Sequence, residues 1–386
     1  RTIPADSTVD EVVLAMVDWG IHHLPLTRRG RLVGMVTDTD LLRRESYHPL
    51  LVRRQLDRAA DLEELAASAR EVTTTAAQLV GAGASPADVT RLLTSAHDAL
   101  YVRAARDSEA ALGPPPCPYA LLVLGSGARR ESTLRTDQDH ALVVADGAPP
   151  GADDWFAALA EHLAATLERC GLVRCPGGIM ATNPARRVPL GAWQEQFIGW
   201  MEEPEEDAVL AAATYFDFRQ LHGELDAETP LRQIASQAAG NRRFLGRLAV
   251  AALWRRPPLG LLHHLRGDHG RIDLKAHGTA PIVDLARLLA LEAGDPTVST
   301  TARLRAAADH GTSGTAAADL AAGFEFLQQL RLSHQALQLA TGTAPDDAVP
   351  LAELTPLQRR WLKDTAELLR TCQQSTRIAF QTDLIA

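Results

Sequence analysis

Hydrophobic positions along this chain repeat with two different periods. An unbroken apolar run from Tyr119 to Leu124 ends at Gly125-Ser126, and a second run to Val144 is entered through Asp137-Gln138-Asp139. Apolar runs of that length, bounded by turn residues, predict two buried strands with a polar segment between them. Elsewhere the spacing is helical: Leu50, Leu51, Leu56, Ala59, Ala60, Leu62 and Leu65, then Val89, Leu92, Leu93, Ala96 and Leu100. Ser85 is the expected cap of the second of these helices, with Pro86 at its first position. A further helix is predicted from Trp155 to Cys170, followed by a strand-like stretch from Leu172 to Thr182.

The first 46 residues alternate differently. Thr8 is the expected cap of a helix through Val9, Val12, Val13, Met16 and Val17 that ends near Gly20. Two short strands, HHLPLT and RLVGMVT, meet at Arg28-Arg29-Gly30, and a second helix opens over Asp38 to Arg43. Residues 190–386 read as helical, interrupted by three islands: YFDFRQLHGE, RRPPLG and RIDLKAHGTAPIVDLARLLAL. With Gly113-Pro-Pro-Pro116 as a break, these patterns divide the chain at 1–46, 47–112, 113–189 and 190–386.

The stretch LLVLGSGARRESTLRTDQDHALVV carries the candidate chemistry. In an extended strand, residues two apart face the same side, so Asp137 and Asp139 can converge while Gln138 turns away. Two convergent carboxylates suit Mg²⁺ or Mn²⁺, hard cations that complete their shell with water and substrate phosphates. Gly125 and Ser126 allow a close backbone approach and offer a hydroxyl to a triphosphate. Arg129 and Arg130 can neutralise phosphate charge, and Glu131 can orient one of them. The plain alternative is a turn between strands with a solvated pair of acids.

That stretch resembles the DNA polymerase β-like nucleotidyltransferase superfamily: a hydrophobic strand, Gly-Ser, about ten residues, then Asp-x-Asp entering a second strand. GSGARRESTLRTDQD is closer to PII uridylyltransferases and to a bacterial family of nucleotidyltransferases fused to CBS domains. The run GIHHLPLTRRGRLVGMVTDTDLLRR resembles one CBS motif, in which Thr37 and Asp40 occupy the places that hold the phosphate and ribose of an adenine nucleotide; helix capping by Thr37 or Asp38 is the simpler role. The later islands follow the uridylyltransferase order, with Asp217, Arg219 and Gly223, then Leu274, Lys275, Gly278 and Asp284. Lys275, one of only two lysines, is a candidate phosphate ligand or half of a surface ion pair.

The resemblance implies an α+β multidomain fold: a single CBS α/β motif, a helical linker, a polymerase β-like core of mixed sheet and helices, and an all-helical substrate-binding domain. It implies transfer of a nucleoside monophosphate from an NTP to an acceptor, by analogy a protein, under control of adenine nucleotide at the CBS motif. Because CBS motifs pair, the partner of this one is expected upstream of Arg1 or on a second copy, which makes a homodimer the default. One departure stands out. The superfamily places a third carboxylate on a later strand, but LVRCPGGIMATNP holds no acid; Asn183 offers only a neutral carbonyl, and Asp217 or Asp273 would have to fold back. A catalytically inactive nucleotide-binding sensor is therefore the alternative to an enzyme.

Composition narrows this further. A net charge of −9 argues against a broad nucleic-acid footprint. Cys117, Cys170, Cys175 and Cys372 have no zinc-like spacing and read as reduced thiols in a cytoplasmic protein. No apolar run has the length of a membrane span. His97 and Asp98 read as helix contacts, and adjacent His263 and His264 point too far apart to share a metal.

Overall fold

A computed structural model describes residues 1–7, 11–12, 15–16, 19, 21–37, 49–260, 265, 267–310 and 314–385. The expectations for Thr8, for the helix opening at Asp38, for Asp40 and for His263 and His264 lie outside the described residues. The fold is mixed α+β, and its contacts divide it into residues 1–58 and 59–386.

In the first unit, β1 (Ile3–Pro4) runs parallel to β2 (His23–Arg28), which pairs antiparallel with β3 (Arg31–Thr37). The hairpin turns at Arg29-Gly30, both with positive φ (52° and 75°), the backbone that a tight two-residue connection demands. Ile3, Val12, Met16 and Leu24 form a small core, whereas Leu32, Val33 and Met35 of β3 are more than half exposed. Helix α1 (Pro49–Arg58) closes this unit.

The second unit begins with α2 (Leu62–Gly81), capped by Asp61, and α3 (Pro86–Leu112), capped by Ser85 with proline at its start. Then comes the strand that organises the unit: β4 (Tyr119–Leu124), buried along its whole length. A short helix, α4 (Gly125–Arg129), and strand β5 (Asp137–Gln138) lead to β6 (His140–Val144). Helix α5 (Ala152–Arg169), β7 (Val173–Arg174), β8 (Arg187–Pro189), α6 (Leu190–Glu202), α7 (Glu206–Tyr215) and β9 (Phe218–His222) follow. The sheet order is β8-β6-β4-β9, with β4 antiparallel to both neighbours and β8 parallel to β6.

Side chains alternate across this sheet as strand geometry requires. Ala120, Leu122, Leu124, Ala141 and Val143 pack with Trp193, Phe197 and Phe218. On the opposite face, Tyr119 meets Phe156 of α5, and His140 meets Tyr101 of α3, edge to face. The island around Asp217, set by its sequence within a helical region, is thus a strand of the central sheet. Gly223 ends it where no other residue fits: its φ is 95°, and a Cβ there would lie 2.0 Å from the Tyr119 carbonyl oxygen.

The chain continues through α8 (Glu228–Ser236), α9 (Arg242–Ala252) and β10 (Arg271–Asp273), which pairs with β11 (Ala348–Pro350). A wide π-type turn, Lys275–Thr279, opens into α10 (Ala280–Ala293), and α11 (Thr300–His310), α12 (Gly314–Ala340) and α13 (Pro356–Ala379) complete the unit. A second core, including Ile272, Leu285, Phe324, Leu327 and Leu362, holds these helices together. Helix α2 packs on α12, and α3 packs on α5. No helix among the described residues is long and apolar enough to cross a membrane.

Candidate functional site

The end of β4 is held from both sides. Leu124 N–H donates to the Asp139 carbonyl (2.9 Å), and Gly125 N–H donates to the Asp217 carbonyl (3.0 Å). Gly125 takes a φ of 54°, and a Cβ there would come within 3.1 Å of Asp139 Oδ2. Glycine therefore keeps this position clear for the Asp139 carboxylate. The expected Gly-Ser turn is in fact the one-turn helix α4, closed by Arg130 in left-handed backbone (φ 62°).

Asp137, Gln138 and Asp139 alternate as strand periodicity predicts. Gln138 is buried and donates to the carbonyls of Ala164 (3.1 Å) and Leu172 (2.9 Å), so the two aspartates face the other way. Both line a cleft of about 310 Å³ with Gly125, Ser126, Arg129 and Glu131. Across it stand Arg255, Lys275, Asp284, Arg287 and Arg331, with Arg135 at the motif side. The six cations lining the cleft outnumber its four acids, although the whole chain is acidic. Lys275 Nζ lies 3.6 Å from Asp137 Oδ2 and joins the two walls.

Asp139 makes no ion pair among the described residues. Burial pushes its carboxyl up to about 6, and the neighbouring Asp137 adds to that, against the Cys175 thiol, Lys275 and Arg129. Beside the two acids is a small cavity of about 10 Å³, the size of one water molecule, lined also by His97, Asp98, Val123, Leu124 and Ser132. His97 Nδ1 and Ser132 Oγ have no protein partner there, and burial lowers the His97 pKa to about 4, keeping it neutral. Asp98 is held by Arg219 at 2.8 Å.

A second acid beside β4 has other company. Asp217 is fully buried; Arg287 Nη2 and Arg129 Nη1 donate to its Oδ2 at 2.7 and 2.9 Å. Arg303 Nη2 lies 2.7 Å from Oδ1 as an ion pair, without hydrogen-bond alignment. Burial alone would raise this carboxyl, but the three guanidiniums outweigh it and hold it far below the usual carboxylate range. Glu131 extends the network, accepting from Arg129 Nε (2.8 Å) and from the Thr300 N–H at the start of α11 (2.8 Å).

Of the residues singled out in the sequence, Gly125, Ser126, Arg129, Glu131, Asp137, Asp139 and Lys275 are brought to one cleft. Arg130 is not: its left-handed backbone carries it to a different hollow. Nor does a third acid fold back. Asp217 is enclosed by arginines, and Asp273 accepts from the Ala276 N–H. Asn183 caps its own turn, accepting from the Ala185 N–H. Thr37 ends β3 in the first unit.

Asp284 does line the cleft, but it is paired with Arg255 (3.0 Å) and Arg287 (2.9 Å). Sequence reasoning gave no role to Arg255, Arg287 and Arg331, which sit on helices or in loops far from the motif. Arg255 falls in the RRPPLG island and Arg287 in the island that begins at Arg271, but neither was singled out. Asp137 and Asp139 fit a divalent cation shared with substrate phosphates, the arrangement in which Mg²⁺ needs only one or two protein carboxylates. No group of three or more His, Cys, Asp or Glu side chains that could hold a metal by itself exists among the described residues.

Comparison with known families gives three matches. Residues 70–207 match the family described as putative nucleotidyltransferase DUF294, and residues 242–380 match the putative nucleotidyltransferase substrate binding domain. Residues 1–47 match the CBS domain. No curated protein matches the chain. Taken with the Asp-x-Asp cleft between the first two matched regions, these place the chain in the CBS-linked putative nucleotidyltransferase family.

Proposed function

We propose that the cleft transfers a nucleoside monophosphate from an NTP to a hydroxyl of an acceptor, by analogy a protein as in PII uridylyltransferases. The observation that supports it best is a pair of convergent carboxylates inside a cleft whose cations outnumber its acids six to four. Asp137 and Asp139 would hold the divalent cation, which would supply charge neutralisation at the phosphates. Arg129 and Lys275 meet the triphosphate, and Ser126 donates its hydroxyl. The acceptor oxygen forms a bond to the α-phosphorus as the bond to the β-phosphate oxygen breaks, and pyrophosphate leaves. With both carboxylates committed to the cation, the acceptor's proton passes to solvent water. Catalysis here is mainly positioning and charge neutralisation.

At the first unit, adenine nucleotide bound through Thr37 and Asp40 regulates the transfer. The exposed Leu32, Val33 and Met35 suit cover by a second CBS motif and support a homodimer. The other acids of the cleft, Glu131 and Asp284, are held by arginines, which favours a second reading in which nucleotide binds without turnover.

Incubation with each of the four α-labelled NTPs and Mg²⁺, with and without cell extract, separates the two. Label on protein together with pyrophosphate release, both lost in Asp137→Asn, supports the transferase and names its nucleotide. Mg²⁺-dependent binding without label supports the sensor. If both Asp137→Asn and Asp139→Asn retain that binding, neither reading holds for this cleft.

A further inference from the structure

A second hollow, of about 260 Å³, backs on to the cleft. Two helices begin at it: α3, 27 residues long, and α11, 11 residues long. Thr90, Arg91 and Thr94 on one face of α3 line it, as does Arg305 of α11. Arg130, displaced from the cleft by its left-handed backbone, also lines it.

Its chemistry is that of an anion site. Four arginines face two acids, Glu131 and Glu325, and the positive ends of two helix dipoles add to the imbalance. Arg91 and Arg305 have exposed partners in Asp88 and Glu325, at 3.3 and 3.1 Å. Arg130 has no ion pair among the described residues. Thr94 is only 1% exposed, and its hydroxyl has no hydrogen-bond partner. An orphaned buried hydroxyl is costly unless a ligand satisfies it. A phosphate group offers both the charge for Arg130 and the acceptor oxygens for Thr94.

Arg129, Glu131, Phe324 and Gln328 line both the hollow and the cleft. A ligand on one side therefore touches the same guanidinium–carboxylate pair that faces the nucleotide on the other. We propose that this hollow is a second site, for a phosphate-bearing small molecule, and that it regulates the cleft through the Arg129–Glu131 pair. The coupling rests on the nucleotide reading of the cleft; the binding does not.

The test is calorimetric titration of the full chain with inorganic phosphate, and separately pyrophosphate, in the absence of nucleotide and metal. Saturable one-to-one phosphate binding is expected, weakened about tenfold in Arg130→Gln and several-fold in Thr94→Val, and unchanged in Asp137→Asn. Arg130 is exposed, so its variant keeps the test sound even if Thr94→Val fails to fold. Absence of saturable binding overturns the site. So does binding that survives Arg130→Gln but disappears in Lys275→Ala, because the phosphate then sits in the cleft. In a second arm, phosphate shifts the affinity for Mg²⁺-NTP about fivefold in the wild type and not in Arg130→Gln. If NTP fails to bind at all while phosphate still does, the cleft reading falls and the second site stands.

Discussion

Asp139 and Asp217 flank the same end of β4, one on the β6 side and one just before β9, and each is tied to it by a backbone hydrogen bond. Their charges are settled in opposite ways. Asp217 faces three guanidiniums, and its carboxyl is held well below the ordinary range despite complete burial. Asp139 has no direct ion pair among the described residues to offset its burial, and burial first, with the neighbouring Asp137 adding to it, raises its carboxyl to about 6. An acid already neutralised by its neighbours holds the fold; in the proposed function, the acid without a direct ion pair is the one left for a cation. The difference lies in how many guanidiniums the tertiary structure delivers, not in the aspartates.

The sharpest way to break the comparison is Asp217→Asn, which leaves Arg129, Arg287 and Arg303 buried without their shared counter-charge. A loss of about 3–5 kcal/mol in urea or thermal unfolding is expected. Because the folded carboxyl is depressed, its contribution is complete above the ordinary carboxylate range and lost as pH falls through and below it. The acid-induced loss of stability should therefore be shallower in the variant.

Asp137→Asn and Asp139→Asn should do the reverse. Transfer activity falls by about a hundredfold or more, while stability holds or rises slightly as like charges are removed. Unfolding midpoints measured beside label incorporation check both halves.

A smaller effect follows from protonation. Asp139 carries a proton below about pH 6, so Mg²⁺ must displace it there. Mg²⁺ affinity should fall as pH drops below 6, approaching about tenfold per pH unit, and the dependence should flatten in Asp139→Asn. Titration of metal at a series of pH values reads this directly.

The least change is expected from Lys275→Ala. Its half-exposed pair with Asp137 is worth under about 1 kcal/mol of stability, but NTP affinity should weaken by roughly threefold to tenfold as one phosphate cation is lost. Unchanged NTP affinity would leave Lys275 as a surface ion pair only.

Much of the cleft was legible because its information is local. Strand β4 spans the apolar run Tyr119–Leu124, and the inward Gln138 follows from a period of two. The pairing of Arg129 with Glu131 also lies within a few residues. Asp217 was not legible as a hub, since its partners Arg129, Arg287 and Arg303 stand 70 or more positions away along the chain. The one local sign was an acid set between Phe216 and Phe218, where an apolar environment demands a counter-charge. Strand β9 was hidden for a related reason: only Phe218 of its five residues is fully buried, so it carries no apolar run. The direction of Arg130 is a backbone matter, fixed by a left-handed φ that arginine does not advertise.

The arginine cluster at Asp217 also bears on how the chain can be cut. The two nucleotidyltransferase matches end at residue 207 and resume at 242, which invites dissection between them. Asp217 falls in the gap, with one arginine partner upstream and two downstream. A fragment ending at 207 would also lack β9, a neighbour of β4 in the central sheet. Neither piece can neutralise its buried charges alone, so residues 59–386 should unfold in one cooperative transition and resist expression as halves.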